Sequence, residues 1–434
     1  MKKKFQCKGE KTIVWCNIAL NQSGGGERLS LEVVRSLQDA GLDAKYLVYD
    51  YDSRSTFEGR YDSVKPIART LDQGIGSGLK WRISNILWMR KMLKRIQPDW
   101  IITSGTWGQV VDVYLSTLFL RINYATHIFG SMFAFTPQFE SLKYSLVFRN
   151  GFKKVLHSVK SYSTVVPEAL CNDSISDWLI RNAKGLLKFI AVRSSSVIFV
   201  LSERNRWETS VMYGRDAIVL QGAFPARIWN HVIVNNVKSQ FGLYNKKVVL
   251  SIGRLVKNKR VDLAIQSMAI VCKTDPDVYL LIGGSGPEES ALKKLAYDLN
   301  IQDQVRFIGY VPESLLWDYM ATCDTFLHLD LADYDIAPME ALAMGADVIW
   351  TNEIDVPNVA KSIDGVWCVE PDCISISDAV IKSISQNPSK RIRNQRKNVL
   401  DSYTWENYSE QMIRFMQKSV ANKDGNDSTN DEVN

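Results

Sequence analysis

Four stretches in the second half of this 434-residue chain carry residue types suited to holding a diphosphate. Arg254 and Lys259, in SIGRLVKNK, set two cations close together just after an apolar run. The turn GGSGP, with Gly286, offers backbone that a ligand can approach closely, and VRFIGYV delivers Tyr310 and Val311 at the end of another run. The fourth stretch is residues 330–345, DLADYDIAPMEALAMG, an acidic, turn-prone loop that breaks directly into an alanine-rich helix. Bare N–H groups and the positive dipole end at such a junction suit a phosphate. Glu340, one turn inside that helix, suits the hydroxyls of a sugar. Each charge-assisted bond to a diphosphate contributes about 1.5–3 kcal/mol. Alone, any of these residues belongs on an ordinary solvated surface; it is their convergence that points to chemistry. Fixed cations and helix amides of this kind stabilise the charge that builds on a departing diphosphate, and they do so without a metal.

The elements that must position them alternate regularly. Apolar runs at 248–253, 278–282, 305–309, 324–329 and 348–351 read as strands, separated by helical patterns at 261–272, 288–299 and 313–321. Repeated βα units of this length predict a parallel sheet with helices on both faces. Ligands bind such sheets beyond the carboxyl ends of the strands, where all four stretches fall. The first half opens the same way. Residues 11–20 read as a buried strand, NQSGGG as a loop carrying Gly25 and Gly26, and 27–40 as a helix. The glycine spacing is not G-x-G-x-x-G, so a dinucleotide fingerprint fits poorly. Further strands are expected at 100–103, 122–126 (ending at His127), 192–201 and 217–220.

These patterns predict an N-terminal Rossmann-like domain over 1–225, a linker over 226–246 and a second Rossmann-like domain over 247–403. A C-terminal helix over 404–421 is expected to pack back towards the first domain, with a polar, disordered tail over 422–434.

Composition is that of a soluble globular chain, 46% hydrophobic and 23% charged. Seven scattered cysteines without C-x-x-C indicate neither a disulfide framework nor a zinc knuckle and fit a reducing cytoplasm. The N-terminus has the lysines and short apolar run of a signal peptide but no small-residue cleavage site, and it reads as a first strand. No run reaches the roughly 18–20 apolar residues of a spanning helix; residues 110–135 come nearest, interrupted by Asp112, Arg121 and His127. Charge is uneven: residues 1–200 hold 28 Lys+Arg against 16 Asp+Glu, the remainder 25 against 31. Much of the basic excess lies in 79–96, with Trp81 and Trp88, and in 148–160, with Arg149, Lys153, Lys154, His157 and Lys160. Tryptophan among lysines predicts peripheral contact with an anionic membrane surface, on the inner face of the plasma membrane, against the plainer reading of a solvated helix face. No recognition module for nucleic acid accompanies the charge.

The order of these motifs resembles the family 4 glycosyltransferases, retaining enzymes of the GT-B fold, in which two Rossmann-like doubly wound α/β domains face each other across a cleft. SIGRLVKNK looks like the family's R-x4-K element, which implies that Arg254 and Lys259 bind the donor diphosphate. GGSGP and VRFIGYV look like its glycine turn and its base-binding strand, implying Gly286, Tyr310 and Val311 at the donor. PMEALAMGADVI resembles the segment holding the second glutamate of E-x7-E; Glu340 would then bind the donor ribose, with Asp335, Ile336 and Ala337 at the donor before it. SGGGE resembles the N-terminal loop that closes on donor phosphate and acceptor, through Gly25 and Gly26. His127 is similar to a histidine near the transferred sugar. The implied reaction moves a hexose-type sugar from a UDP- or GDP-sugar, without cofactor or metal, to a glycan or lipid-linked glycan acceptor with retention. The setting implied is cell-surface polysaccharide or glycoconjugate synthesis.

Three departures stand out. Where the family has the first glutamate this chain has Ala332, so Asp330 or Asp333 must supply a carboxylate or the protein works without one. Arg260 replaces a glycine, and Gln221-Gly222 stands where asparagine-glycine is expected. The missing glutamate also motivates a non-catalytic scaffold or sugar-nucleotide-binding protein within a glycosyltransferase complex. Another alternative is a metal-dependent GT-A enzyme, since Asp50-Tyr51-Asp52 and Asp333-Tyr334-Asp335 both form Asp-x-Asp. A nicotinamide oxidoreductase is more distant, because neither the glycine spacing nor the cofactor acid is in place.

Overall fold

The computed structural model describes residues 11–21, 24–52, 61–74, 78–104, 108–129, 145–158, 174–222, 224–235, 237–330, 336–352, 358–385 and 390–427, with positions 54, 57, 76 and 356 between them. The chain divides into two compact units, one of residues 1–220 with 405–434, the other of residues 221–404.

The first unit is built on β1 (Thr12–Leu20), α1 (Gly25–Asp39), β2 (Asp43–Tyr51), β3 (Ile67–Leu71), α2 (Gly78–Ile96), β4 (Trp100–Ser104) and α3 (Gln109–Thr117). It continues through β5 (Asn123–Ile128), α4 (Leu146–His157), α5 (Ile175–Arg193), β6 (Val197–Val200), α6 (Glu203–Tyr213) and β7 (Ile218–Val219). The strands form one parallel sheet in the order β3-β2-β1-β4-β5-β6-β7. β1 reads TIVWCNIAL because it is covered on both faces, as parallel strands are. Right-handed crossovers place α1 on one face and α2 to α6 on the other. α1 is closed over by the last helix, α15 (Trp405–Asp427), and the Ser36 hydroxyl donates to the Trp405 carbonyl at 3.3 Å. This sandwiching buries Arg28, Ser30 and Glu32 on what would otherwise be the polar side of α1, and the Tyr61 hydroxyl donates to Glu32 at 2.8 Å.

In the second unit β8 (Lys247–Ile252), α8 (Val261–Thr274), β9 (Val278–Gly283), α9 (Glu289–Asp298), β10 (Val305–Gly309), α10 (Leu316–Thr322) and β11 (Thr325–His328) follow in turn. They lead to α11 (Ile336–Met344), β12 (Asp347–Thr351), β13 (Val366–Val369), α13 (Cys373–Ser385) and α14 (Lys390–Leu400), with a short α12 (Asn358–Lys361) before β13. The sheet order is β10-β9-β8-β11-β12-β13, all parallel. Val249, Leu280, Leu327 and Ile349 from four strands meet Ile265 and Met268 of α8 and Ile376 and Val380 of α13 in one core. α14 is anchored by Arg396, which is buried. It donates to Asp347 Oδ1 at 2.8 Å and to the Ala346 and Asp364 carbonyls, so neither buried charge is left alone.

Several sequence expectations need correction. Residues 226–246 are not a linker: Ile228, Val237 and Leu243 are buried in the second unit, where the segment forms a turn of 3-10 helix (Ala226–Asn230) and α7 (Val237–Gln240). The strand expected from 192 begins at Val197, because α5 runs on to Arg193. α15 extends to Asp427, six residues into the expected tail, and residues 428–434 lie outside the described residues. Trp81 and Trp88 do not face outward as a pair. Both pack edge-on against Tyr49 at ring distances of 5.9 and 6.1 Å, which draws them onto the sheet.

Candidate functional site

In the second unit, chain direction across the sheet reverses between β8 and β11, since β9 and β10 build one way from β8 while β12 and β13 build the other way from β11. Loops diverge at such a switch point and leave a crevice at the carboxyl ends of the strands. Arg254 follows β8 directly and is exposed. Lys259 ends a turn of 3-10 helix (Lys257–Lys259), its stem lying about 3.7 Å from where a side chain on Gly253 would begin. Its ammonium forms an ion pair with Asp330, two residues past the end of β11, and the Asn258 amide reaches the same carboxylate at 3.4 Å. Asp330 is buried (1% exposed). The expected phosphate lysine is thus held across the switch point by one of the two expected carboxylate substitutes. Asp333, Asp335 and Ala332 lie outside the described residues.

The glycine turn after β9 has a different use from the one its composition suggests. A side chain on Gly284 would begin 1.9 Å from the Gly253 carbonyl oxygen, and one on Gly286 would begin 2.3 Å from that of Leu255. The loops after β8 and β9 are laced together by Leu255 N–H to Ser285 O at 2.9 Å and Glu288 N–H to Leu255 O at 3.1 Å. Glycine is required there for loop-on-loop contact, which fixes the backbone beneath Arg254. Beyond β10, Tyr310 is largely exposed while Val311 packs towards Gly283.

α11 begins at Ile336, with Ala337 next, so both lie in its first turn, where N–H groups lack helical partners. Glu340 sits one turn in and is fully buried, its Oε1 accepting from Trp317 Nε1 of α10 at 2.8 Å. Trp317 itself lies edge-on to His231 at 5.2 Å, with the Arg227 guanidinium 6.0 Å from its ring. Nothing in the sequence marks Trp317 as a partner of Glu340, 23 positions away, or singles out Asn258 inside the lysine-rich loop.

The first unit reverses between β1 and β4. Gly25 and Gly26 open α1 at that point. Open space surrounds Gly25, and a side chain on Gly26 would meet Phe129 at an ordinary 3.7 Å. His127, near the end of β5, is fully buried among Trp15, Phe129, Phe199 and Tyr408, and its Nε2 is hydrogen-bonded to the Tyr408 hydroxyl. The Phe129 ring stacks 4.4 Å away. Burial pushes its pKa down to about 3, so the ring is neutral at physiological pH. As described, it faces an aromatic cluster rather than solvent.

Asp50, from the first Asp-x-Asp, is also committed. Its carboxylate accepts from Thr70 Oγ1 at 2.8 Å and from the Gln73 and Gly74 amides, and so ties down the turn after β3.

Residues 235–400 match the family described as glycosyl transferases group 1. That match lies within the second unit. Over 159 residues the chain is 30% identical to a phosphatidylinositol N-acetylglucosaminyltransferase component of Arabidopsis thaliana, covering 36% of this chain and 35% of that protein. It is 25% identical over 216 residues to the N-acetyl-alpha-D-glucosaminyl L-malate synthase of Bacillus anthracis, covering 49% and 56% respectively. The chain therefore spans about a third to a little over half of the length of these curated relatives. Solved structures extend the likeness in fold to nearly the whole chain. Anabaena HepE, solved with UDP and glucose, matches with a TM-score of 0.66 at 14% identity over 94% of this chain and all of that one. Sucrose-phosphate synthase of Thermosynechococcus elongatus matches at 0.67 and 15% identity over 95% and 99%. The fold of the two units is GT-B.

Proposed function

We propose that the protein is a retaining glycosyltransferase that moves a hexose-type sugar from a UDP- or GDP-sugar to a glycan or lipid-linked glycan acceptor. The observation that carries this reading is the pairing of Lys259 with buried Asp330 at the switch point of the second unit, with Arg254 beside it. A lysine so tethered presents its charge at a fixed place and loses little side-chain entropy when a phosphate arrives. In this reading Arg254, Lys259 and the first-turn amides of α11 receive the diphosphate, and their charge opposes the negative charge that grows as the anomeric bond breaks. This division of labour needs no metal ion. Glu340 accepts from the ribose hydroxyls, its carboxylate plane set by Trp317. The acceptor hydroxyl attacks from the face the diphosphate leaves, which preserves the anomeric configuration.

The names of the Arabidopsis and Bacillus relatives make N-acetylglucosamine the first sugar to test, and the former's lipid name favours a lipid-linked acceptor of cell-surface glycoconjugate synthesis. A site at the cytoplasmic membrane face follows from the same acceptor.

Thermal unfolding of the full chain with UDP, GDP and their sugars tests the donor site. Saturation at a hundred times Kd stabilises by about 2.7 kcal/mol, and one base is expected to raise the melting temperature while the other does not. No response to either removes the donor site. A response without donor turnover in the presence of acceptor mixtures favours the second reading, a sugar-nucleotide-binding subunit. That reading is supported by Ala332 and by the engagement of Asp330 with Lys259.

A further inference from the structure

The helices α2, α3, α4 and α5 lie side by side on one face of the first unit's sheet, each touching the next: α2 on α3, α3 on α5, α5 on α4. The outer side of this layer has the wrong polarity for water. α5 buries Gly185, Lys188, Ala191 and Val192 against its neighbours. Its opposite side carries Ile175, Leu179, Leu186 and Ile190, spaced four, seven and four residues apart, all on one exposed stripe (81% at Ile175). A surface helix normally presents polar residues there. α2 repeats the feature with exposed Leu79, Ile83 and Leu87, and Phe119, just past α3, is 97% exposed. Contiguous exposed apolar surface of this kind marks an interaction site.

Charge identifies the occupant. Exposed Lys80, Lys91, Lys94 and Arg95 continue the outer side of α2, Arg149, Lys153 and Lys154 line α4, and Lys184 and Arg193 flank the stripe on α5. These four helices contain two acids, Asp112 and Asp177. Asp112 is buried and paired with Arg82 at 2.7 Å, so on these four helices Asp177 alone opposes the lysines at the surface. A second copy docked on the same face would set lysine against lysine, because the two patches of a symmetric dimer are identical. An anionic bilayer meets both requirements: its headgroup boundary takes aliphatic side chains, and its phosphates take lysine and arginine.

We propose that the α2–α3–α5 face rests on an anionic membrane surface, with the α5 stripe in the headgroup boundary and the lysines on lipid phosphates. The surface differs from the one the tryptophans imply, since Trp81 and Trp88 turn inward on Tyr49. Arg90 is not part of it either, because its guanidinium donates to the Ser116 and Leu118 carbonyls and closes the end of α3.

The test is flotation of the full chain with phosphatidylcholine vesicles and with vesicles containing phosphatidylglycerol, in the absence of donor, so the result does not depend on whether the protein transfers sugar. Wild type should float with the anionic vesicles and remain below with the neutral ones. Leu179→Gln, Leu186→Gln and Ile190→Gln together should lower the partition constant at least about a hundred-fold at unchanged melting temperature, since each buried aliphatic side chain contributes a factor of about ten or more. Lys91→Gln, Lys94→Gln and Lys184→Gln together should lower it about five-fold per charge, a loss that added salt reproduces in wild type. The proposal is overturned if wild type fails to float, floats equally with neutral vesicles, or if the leucine and isoleucine variant floats as wild type does. Sedimentation showing a wild-type dimer that the apolar variant dissolves would also overturn it and assign the face to a second copy.

Discussion

The two units reverse chain direction at the same kind of place, between β1 and β4 in one and between β8 and β11 in the other, yet the side chains gathered at the strand ends differ in kind. At the first, His127 is sealed among aromatic rings and kept neutral. At the second, Lys259, Asp330 and Asn258 form a polar cluster beside an exposed Arg254. One fold thus supports an apolar plug and a charged cradle, and loop chemistry alone decides which. In the proposed role the cradle has to remain charged, so a lysine drawn in beside buried groups must be countered when no ligand is present, whereas an exposed arginine is served by water. Asp330 does this for Lys259. The aromatic plug carries no such obligation, and its imidazole is discharged by burial.

The largest effect should come from breaking the pair in the second unit. Lys259→Ala leaves Asp330 buried without its cation, at an expected stability loss of about 2–3 kcal/mol, and in the proposed role removes a phosphate contact as well. The double variant Lys259→Ala, Asp330→Asn should recover most of the melting temperature but none of the affinity for nucleotide sugar. If stability and affinity return together, Lys259 supports the fold and not the ligand.

Glu340→Gln comes next. An amide accepts less well than a carboxylate from ribose hydroxyls, so nucleotide-sugar affinity should fall by about 1.5–2 kcal/mol. Trp317→Phe should give a smaller loss in the same direction by freeing the carboxylate from its 2.8 Å donor. Measured affinity for the free nucleoside diphosphate, unchanged in both variants, would argue against ribose contact. Arg254→Ala should leave the melting temperature untouched, since the side chain is exposed and makes no hydrogen bond or ion pair among the described residues. It should weaken the diphosphate by about 1.5 kcal/mol. Comparing Arg254→Ala with Lys259→Ala by calorimetry separates a contact that only binds from one that also holds the fold.

What the sequence makes legible follows from how local the signal is. β8 and β9 announce themselves as continuous apolar runs because parallel strands inside a sheet are covered on both faces. β2, DAKYLVYDY, and β3, IARTL, pass unmarked: charged residues stand at the ends of one, and the other is a half-buried edge strand. The places of Arg254, Lys259 and Glu340 in the fold are readable from spacing because each is tied to a neighbouring strand end or helix start. The partners that give them their environment are not readable. Asp330 reaches Lys259 across 71 positions, Trp317 reaches Glu340 across 23, and Tyr408 reaches His127 across 281. Exposure is the other blind spot. Apolar residues are scattered around α5, and only the packing of Gly185 and Lys188 shows which side is inside.

The smallest effect tests the apolar half of the comparison through pH. The His127 ring, held at about 3 against an unfolded value of about 6.5, makes the folded protein bind fewer protons than the unfolded chain between those values. Its contribution to stability is therefore fully present above about pH 6.5 and is lost as pH falls below it, with a slope approaching 1.4 kcal/mol per pH unit. At pH 5.5 the loss from this group amounts to about 1.4 kcal/mol. The rings that enclose it, Trp15, Phe129, Phe199 and Tyr408, do not titrate in that range, so within this cluster the limb belongs to His127. Denaturant unfolding at pH 7.5 and 5.5 should show the loss in wild type. His127→Phe combined with Tyr408→Phe, which removes the hydroxyl along with its partner, should reduce the difference by that amount while the carboxylates common to both proteins cancel. An unchanged pH difference would mean that His127 takes up its proton in the folded state, and the first unit's strand ends would then be polar after all.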